Sequence, residues 1–229
     1  MQSAESFLQA LDEIVRRNRM LDHPFYQTWN AGTLSREALR EYAKQYYRFV
    51  HIFPTLLSAT HSNTPHLPVR QELLENLLEE ERGEQNHPAL WMKFVESLGV
   101  GMEEAQAAVP LPETNEAINE LRSVTRDGSY LEGVSALYAY ESQIPQVARV
   151  KTEGLKEYYG ITDPTALSFF TVHEEADVYH SGGERKILAE YATTDTERLS
   201  VLRAAERSSK AMLRLLDGVY RAYVQPSMS

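Results

Sequence analysis

Wherever this chain is periodic, the period is that of an α-helix. Phe7, Leu8, Leu11, Ile14 and Val15 recur at helical spacing, and Leu73, Leu74, Leu77 and Leu78 do so farther on. No segment alternates apolar and polar residues between turn signals, so no strand is predicted. The 11 glycines and 10 prolines fall largely between the periodic stretches. These signals predict helices over 3–20, 35–62 with a kink at Pro54, 69–86, 89–98, 102–108 and 114–126. Three more follow: 129–159 with a bend at Pro145, 163–190 weakened at Gly182-Gly183, and 194–224 behind a capping box. Residues 23–29 form a turn or short helix. The fold class is therefore an all-α bundle of about seven helices.

At 229 residues the chain fits a single domain, 1–229. A formal net charge of -10 argues against nucleic acid and anionic membrane surfaces as partners unless the chain carries a local basic patch. No apolar run approaches the roughly 20 residues that span a bilayer, and the start of the chain carries no leader pattern. A cytoplasmic protein is expected. The absence of cysteine excludes disulfides, thiolate metal sites and cysteine nucleophiles. Any metal must be held by nitrogen and oxygen.

Three places offer such ligands. In the helix after Asp163-Pro164, Asp177 lies about 40° to one side of His173 and His180 about 20° to the other. That stripe is a metal site if it faces inward and a polar surface network if it faces water. Glu80 and His87, read on one helix, return to within about 20° and lie roughly 10 Å apart. Alone they read as structural, with Glu79, Glu81 and Glu84 solvated on other faces. Glu141 is a lone acid in an apolar and aromatic run, and it reads either as a buried ligand or as a cap on the bend at Pro145. Joined, the three places supply three histidines and three carboxylates from three helices. Converging helix-borne Glu and His is how di-iron and di-manganese carboxylate proteins are built. His23 has no carboxylate or histidine partner at helical spacing and is given no ligand role, although an N-terminal histidine can ligate haem in a helical bundle.

Glu80-x₆-His87, the isolated Glu141 and His173-x₃-Asp177-x₂-His180 together resemble the ligand set of the haem-oxygenase-like di-metal oxidases. That superfamily also holds the pyrroloquinoline-quinone oxidase and the TENA/THI-4 proteins. The likeness is closer to the branch that includes the chlamydial protein associating with death domains, and it covers nearly the whole chain. Its matching stretches are 23–26, 80–91, Tyr140-Glu141, 151–155 and 173–180.

The resemblance implies a haem-oxygenase-like bundle holding a dinuclear Fe/Fe or Fe/Mn centre at Glu80, His87, Glu141, His173, Asp177 and His180. It implies p-aminobenzoate synthesis for folate, with O₂ and a reductant as co-substrates and no external aromatic substrate. Tyr26 resembles the tyrosine consumed as ring source, Lys151 the amino donor, and Tyr42 and Tyr140 nearby redox-active or positioning tyrosines. A homodimer is implied as well. Spacing alone reads differently: Lys151 lies about 15 Å beyond Glu141 on a straight helix and looks like a solvated surface lysine. Tyr26 alone reads as a core aromatic.

Two other functions stay open at this point. One is a multi-turnover oxidase of an external small molecule, with Arg149 as a candidate substrate contact. The other is a non-enzymatic interaction protein.

Overall fold

Side-chain caps and prolines mark the helix starts. Ser3, Ser35, Asn86 and Asp163 each accept a hydrogen bond from a first-turn backbone N–H, and Ser129 and Thr194 complete capping boxes with Glu132 and Glu197. The computed structural model describes residues 3–225. Met1 and Gln2, on which part of the leader expectation rests, lie outside the described residues. The α-helices are α1 Ala4–Arg17, α2 Pro24–Asn30, α3 Arg36–Asn63, α4 Leu67–Glu81, α5 His87–Ser97 and α6 Met102–Ala107. They continue as α7 Pro112–Arg122, α8 Tyr130–Glu141, α9 Ile144–Glu157, α10 Pro164–Tyr191 and α11 Asp195–Val219. No strand occurs among the described residues.

The bundle is all-α as the periodicity predicts, and the departures concern where helices break. The expected bent helix over 129–159 is two helices, α8 and α9, joined at Ser142 and Gln143. Pro145 occupies the first turn of α9, where its missing N–H leaves no bond unmade. The expected helix over 69–86 ends at Glu81, and Gly83 takes φ +78 in the loop that follows. Gly182-Gly183 does not interrupt α10, which runs unbroken for 28 residues. None of these helices is long and apolar enough to cross a membrane.

Helix α10 packs on α5, α8 and α9, α3 packs on α4, α5 and α8, and α11 closes the bundle against α7 and α8. The core this creates is strongly aromatic: Tyr26, Trp29, Tyr42, Tyr46, Phe49, Trp91, Phe94 and Phe170 are all within 1% of complete burial.

One glycine sets the distance between two of the helices that matter most. A Cβ on Gly154, in α9, would lie 2.5 Å from Trp29 Nε1 and 2.8 Å from its Cδ1. Bare backbone is what lets α2, with Tyr26, lie against the α9 face that carries Lys151. Gly154→Ala is expected to lower stability by about 1–3 kcal/mol through overpacking, despite alanine's better helix propensity. Thermal melting checks this, and a melt unchanged or raised would show that the contact relaxes freely.

Candidate metal centre

Four helix segments bring the ligands together. The ligand atoms of Glu80, His87 and His173 lie within 4.8 Å of one another, and so do those of Glu141, Asp177 and His180. All six side chains are buried, none more than 4% exposed. The stripe on α10 is thus divided: His173 joins the first cluster, and Asp177 and His180 join the second. Val178 and Tyr179 point off the face at 61% and 65% exposure, as helical spacing requires.

Glu80 and His87 do not share a helix face. Glu80 is in the last turn of α4 and His87 opens α5, with the loop over 82–86 folding one back toward the other. Asn86 caps α5 through Ala89 N, and Pro88 takes a first-turn position. Glu80 Oε1 then lies 2.9 Å from His87 Nδ1, where a continuous helix would hold them apart. Glu141 ends α8 rather than capping a kink. Its Oε1 accepts a hydrogen bond from Asn76 Nδ2 at 2.9 Å.

In the second cluster the donor atoms crowd without pairing. His180 Nδ1 is 3.7 Å from Asp177 Oδ1 and 3.9 Å from Glu141 Oε1. His180 Nδ1 and Asp177 Oδ2 are buried and make no hydrogen bond. Polar atoms buried without partners are costly. Ligands about 2.1 Å from one metal ion would lie roughly 3–3.5 Å from each other, close to the separations found. The residues therefore fit a pair of bound cations, and their mixed imidazole and carboxylate set suits iron or manganese.

Outer contacts fix the ligands. His173 Nδ1 lies 2.6 Å from the Phe169 carbonyl, which can only accept, so Nδ1 carries the hydrogen and Nε2 keeps its lone pair. Glu79 Oε2 lies 3.2 Å from His180 Nε2 at the outer edge of the site. Helical spacing read Glu79 as purely solvated; it is half-exposed, but one oxygen reaches this ligand. The clearest omission of sequence reading is Glu184, 2% exposed, whose carboxyl faces Glu141. It continues the 173/177/180 stripe by one more step of four, which is the signal that could have found it.

Burial, with the neighbouring acids, raises the Asp177, Glu141 and Glu184 carboxyls above their usual range, the last two as a coupled pair. Burial drives His173 down. At His87 burial is outweighed by Glu80, which raises the imidazole. Carboxyls raised in the folded state stabilise it while protonated, and that contribution is lost as pH climbs from about 4.5. His173 opposes this, but only below 6.5. Metal-free protein is therefore expected to melt several degrees lower at pH 7 than at pH 5, and divalent metal at pH 7 should restore the loss. Calorimetry in chelator and in excess Mn²⁺ measures both, and an apo melting temperature that rises from pH 5 to 7 would contradict it.

A series of phenols leads away from the centre. Tyr140, next to Glu141, lies 2.9 Å from Tyr46 through their hydroxyls, Tyr46 is 5.3 Å from Tyr42 by ring centroid, and the Tyr42 and Tyr26 hydroxyls are 3.4 Å apart. Burial raises all four phenol pKa values and keeps them protonated. Lys151 ends the series. It is 2% exposed, against the solvated position that spacing suggests, because the break before α9 turns it inward. Its Nζ stands 4.4 Å from the Tyr46 ring centre, 5.3 Å from that of Tyr42 and 5.6 Å from that of Tyr26. Burial alone pushes it down to about 7.

The cavity beside the ligands is about 10 Å³, lined by Phe49, Val50, Phe53, Glu80, Tyr140, Phe169, His173 and Asp177. That is room for about one water-sized molecule. His23 takes no part in it: Nδ1 accepts from Phe25 N to cap α2, and Nε2 pairs with Asp217 Oδ1 at 3.1 Å, so both ring nitrogens are engaged. Arg149 faces Glu174 at 4.0 Å with most of its side chain exposed.

Comparison with known proteins gives a consistent set of relatives. The family profile for iron-containing redox enzymes matches residues 40–212. A 4-aminobenzoate synthase of Nitrosomonas europaea is 41% identical over 230 residues, covering 96% of this chain and 94% of its own. A 4-aminobenzoate synthase of Chlamydia trachomatis is 41% identical over 212 residues, covering 93% and 91%. Among solved structures, a CADD-like protein of unknown function from Nostoc punctiforme superposes with a TM-score of 0.76 at 18% identity, covering 96% and 99%.

Proposed function

Since the chain belongs to the iron-containing redox enzyme family, we propose that it is an O₂-dependent dinuclear-metal enzyme that makes 4-aminobenzoate from its own side chains. Tyr26 is the ring source and Lys151 the amino donor, in a single turnover. A pair of metals, Fe/Fe or Fe/Mn, held by Glu80, His87, His173 and by Glu141, Asp177, His180, supplies O₂ activation when reduced. The identities of the 4-aminobenzoate synthases support the product, and the fit of the donor set supports the centre.

The observation that carries the reading is the position of Lys151. An amine buried among Tyr26, Tyr42 and Tyr46, with its pKa down at about 7, is substantially uncharged at neutral pH and therefore nucleophilic. The enclosing rings exclude water from it. A cavity of about 10 Å³ is too small for an aromatic substrate, whereas Tyr26 is already buried in the core beside Lys151. The Tyr42 hydroxyl lies 3.4 Å from that of Tyr26, and Tyr46 bonds Tyr140, the neighbour of Glu141 in the chain. Asn76 and the Phe169 carbonyl hold Glu141 and His173 in place.

The test is stoichiometric. Protein loaded anaerobically with iron, or with iron and manganese, then given O₂ and reductant but no substrate, should release 4-aminobenzoate. The yield should not exceed one per chain, and mass changes should map to Tyr26 and Lys151. Repeated turnovers that require an added small molecule, with peptide masses intact, would establish the external-substrate reading instead.

A further inference from the structure

The Gly182-Gly183 pair leaves α10 unbroken and has no part in holding the ligands, yet it borders a groove near them. This groove, about 710 Å³, runs between α4 and α10. Its acidic lining residues Glu72, Glu175 and Glu190 outnumber the single lining cation, Lys186. A Cβ on Gly183 would lie 2.2 Å from Glu72 Oε1. Only bare backbone there lets the Glu72 carboxylate press against α10. The next residue, Glu184, is 2% exposed, and the group its carboxyl meets is another acid, the Glu141 carboxyl, with which it shares a hydrogen bond. Glu141 and, more weakly, Glu72 both act on its charge.

A buried carboxyl whose neighbours are two more acids is poor packing; an apolar residue of that size would be more stable. Such an arrangement is useful where a cation has to pass. A hydrated divalent ion loses water readily only if new oxygen ligands replace it one by one. Glu72 at the groove floor, Glu184 behind it and Glu141 beyond form that succession.

We propose that the α4/α10 groove is the uptake path for divalent metal, with Glu72 receiving the ion and Glu184 handing it to Glu141, Asp177 and His180. This rests on the reading of the two clusters as metal sites. The competing path is Glu79, half-exposed and 3.2 Å from His180 Nε2.

Co²⁺ uptake by the metal-free full chain, followed by its visible absorption after rapid mixing, separates the two. Glu72→Gln and Gly183→Ala should reach the same final two Co²⁺ per chain as the native protein but fill about tenfold more slowly, since one step of electrostatic focusing is lost. Glu184→Gln should slow filling at least as much, with its fold checked by an unchanged helical spectrum. Glu79→Gln should keep the native uptake rate and change only affinity. Native rates in both Glu72→Gln and Gly183→Ala, or slowing confined to Glu79→Gln, would overturn the path. Failure of the native chain to bind Co²⁺ at all would instead overturn the metal reading beneath it.

Discussion

Lys151→Met should abolish 4-aminobenzoate formation and at the same time make the protein more stable. The two effects together distinguish a working amine from a structural one. Lys151 is 2% exposed, and burial lowers its pKa from 10.5 to about 7. At about 1.36 kcal/mol per unit, holding this group inside costs on the order of 5 kcal/mol at and below pH 7. The sign follows from linkage: between about 7 and 10.5 the unfolded chain binds the extra proton, so stability rises with pH across that window. Methionine is of similar length, apolar and comfortable against aromatic rings. It removes the cost and keeps the packing, so the melting temperature at pH 7 should rise by several degrees.

Product, in contrast, should fall to background. Tyr26→Phe should match it in product loss without the gain in stability. Its hydroxyl makes one long contact, 3.4 Å to Tyr42, so the change in stability should stay within about 1.5 kcal/mol. In the native chain the single-turnover rate should climb with pH through about 7 as Lys151 loses its proton. Normal yield from either variant would remove that residue from the role proposed for it.

The second large effect is expected at Asp177. Asp177→Asn keeps the shape of the side chain and removes its charge. In metal-free protein this relieves a carboxylate that burial and Glu80 already disfavour, so the apo form should melt higher than native above pH 5. With metal the order should reverse. Native protein should gain about 3 kcal/mol for metal present at a hundred times its dissociation constant, and the variant should lose the share due to the Glu141, Asp177 and His180 cluster. Metal analysis should read two ions per chain in native protein and no more than one in the variant, with product at background. Two ions in Asp177→Asn would exclude Asp177 as a required ligand.

The six candidate ligands were legible because metal ligands on helices leave a residue-type signature. Acids and histidines recur at spacings that return to one face, and Glu141 stands alone in an apolar run. The geometry around them was less legible. Glu80 and His87 were placed on one continuous face, but the break at 82–86 is what brings them to 2.9 Å. Glu184 was passed over because a glutamate after two glycines looks like ordinary surface. Lys151 shows the limit most clearly. A lysine's burial depends on which way its helix is turned, and the turn at Ser142-Gln143, rather than a bend at Pro145, decides that.

By itself, the sequence determined the helical class, most helix starts and the exclusion of thiolate chemistry, and it singled out the six candidate ligands. Each of these follows from local rules, since periodicity, capping and residue type act within a few positions. Only the tertiary structure decided how the α10 stripe divides between two clusters and how four phenols line up toward Lys151. It also decided that the cavity beside the ligands is about 10 Å³. Those facts depend on the distances and rotations between helices far apart in the chain. Packing sets them, through contacts as local as the missing side chain of Gly154 against Trp29.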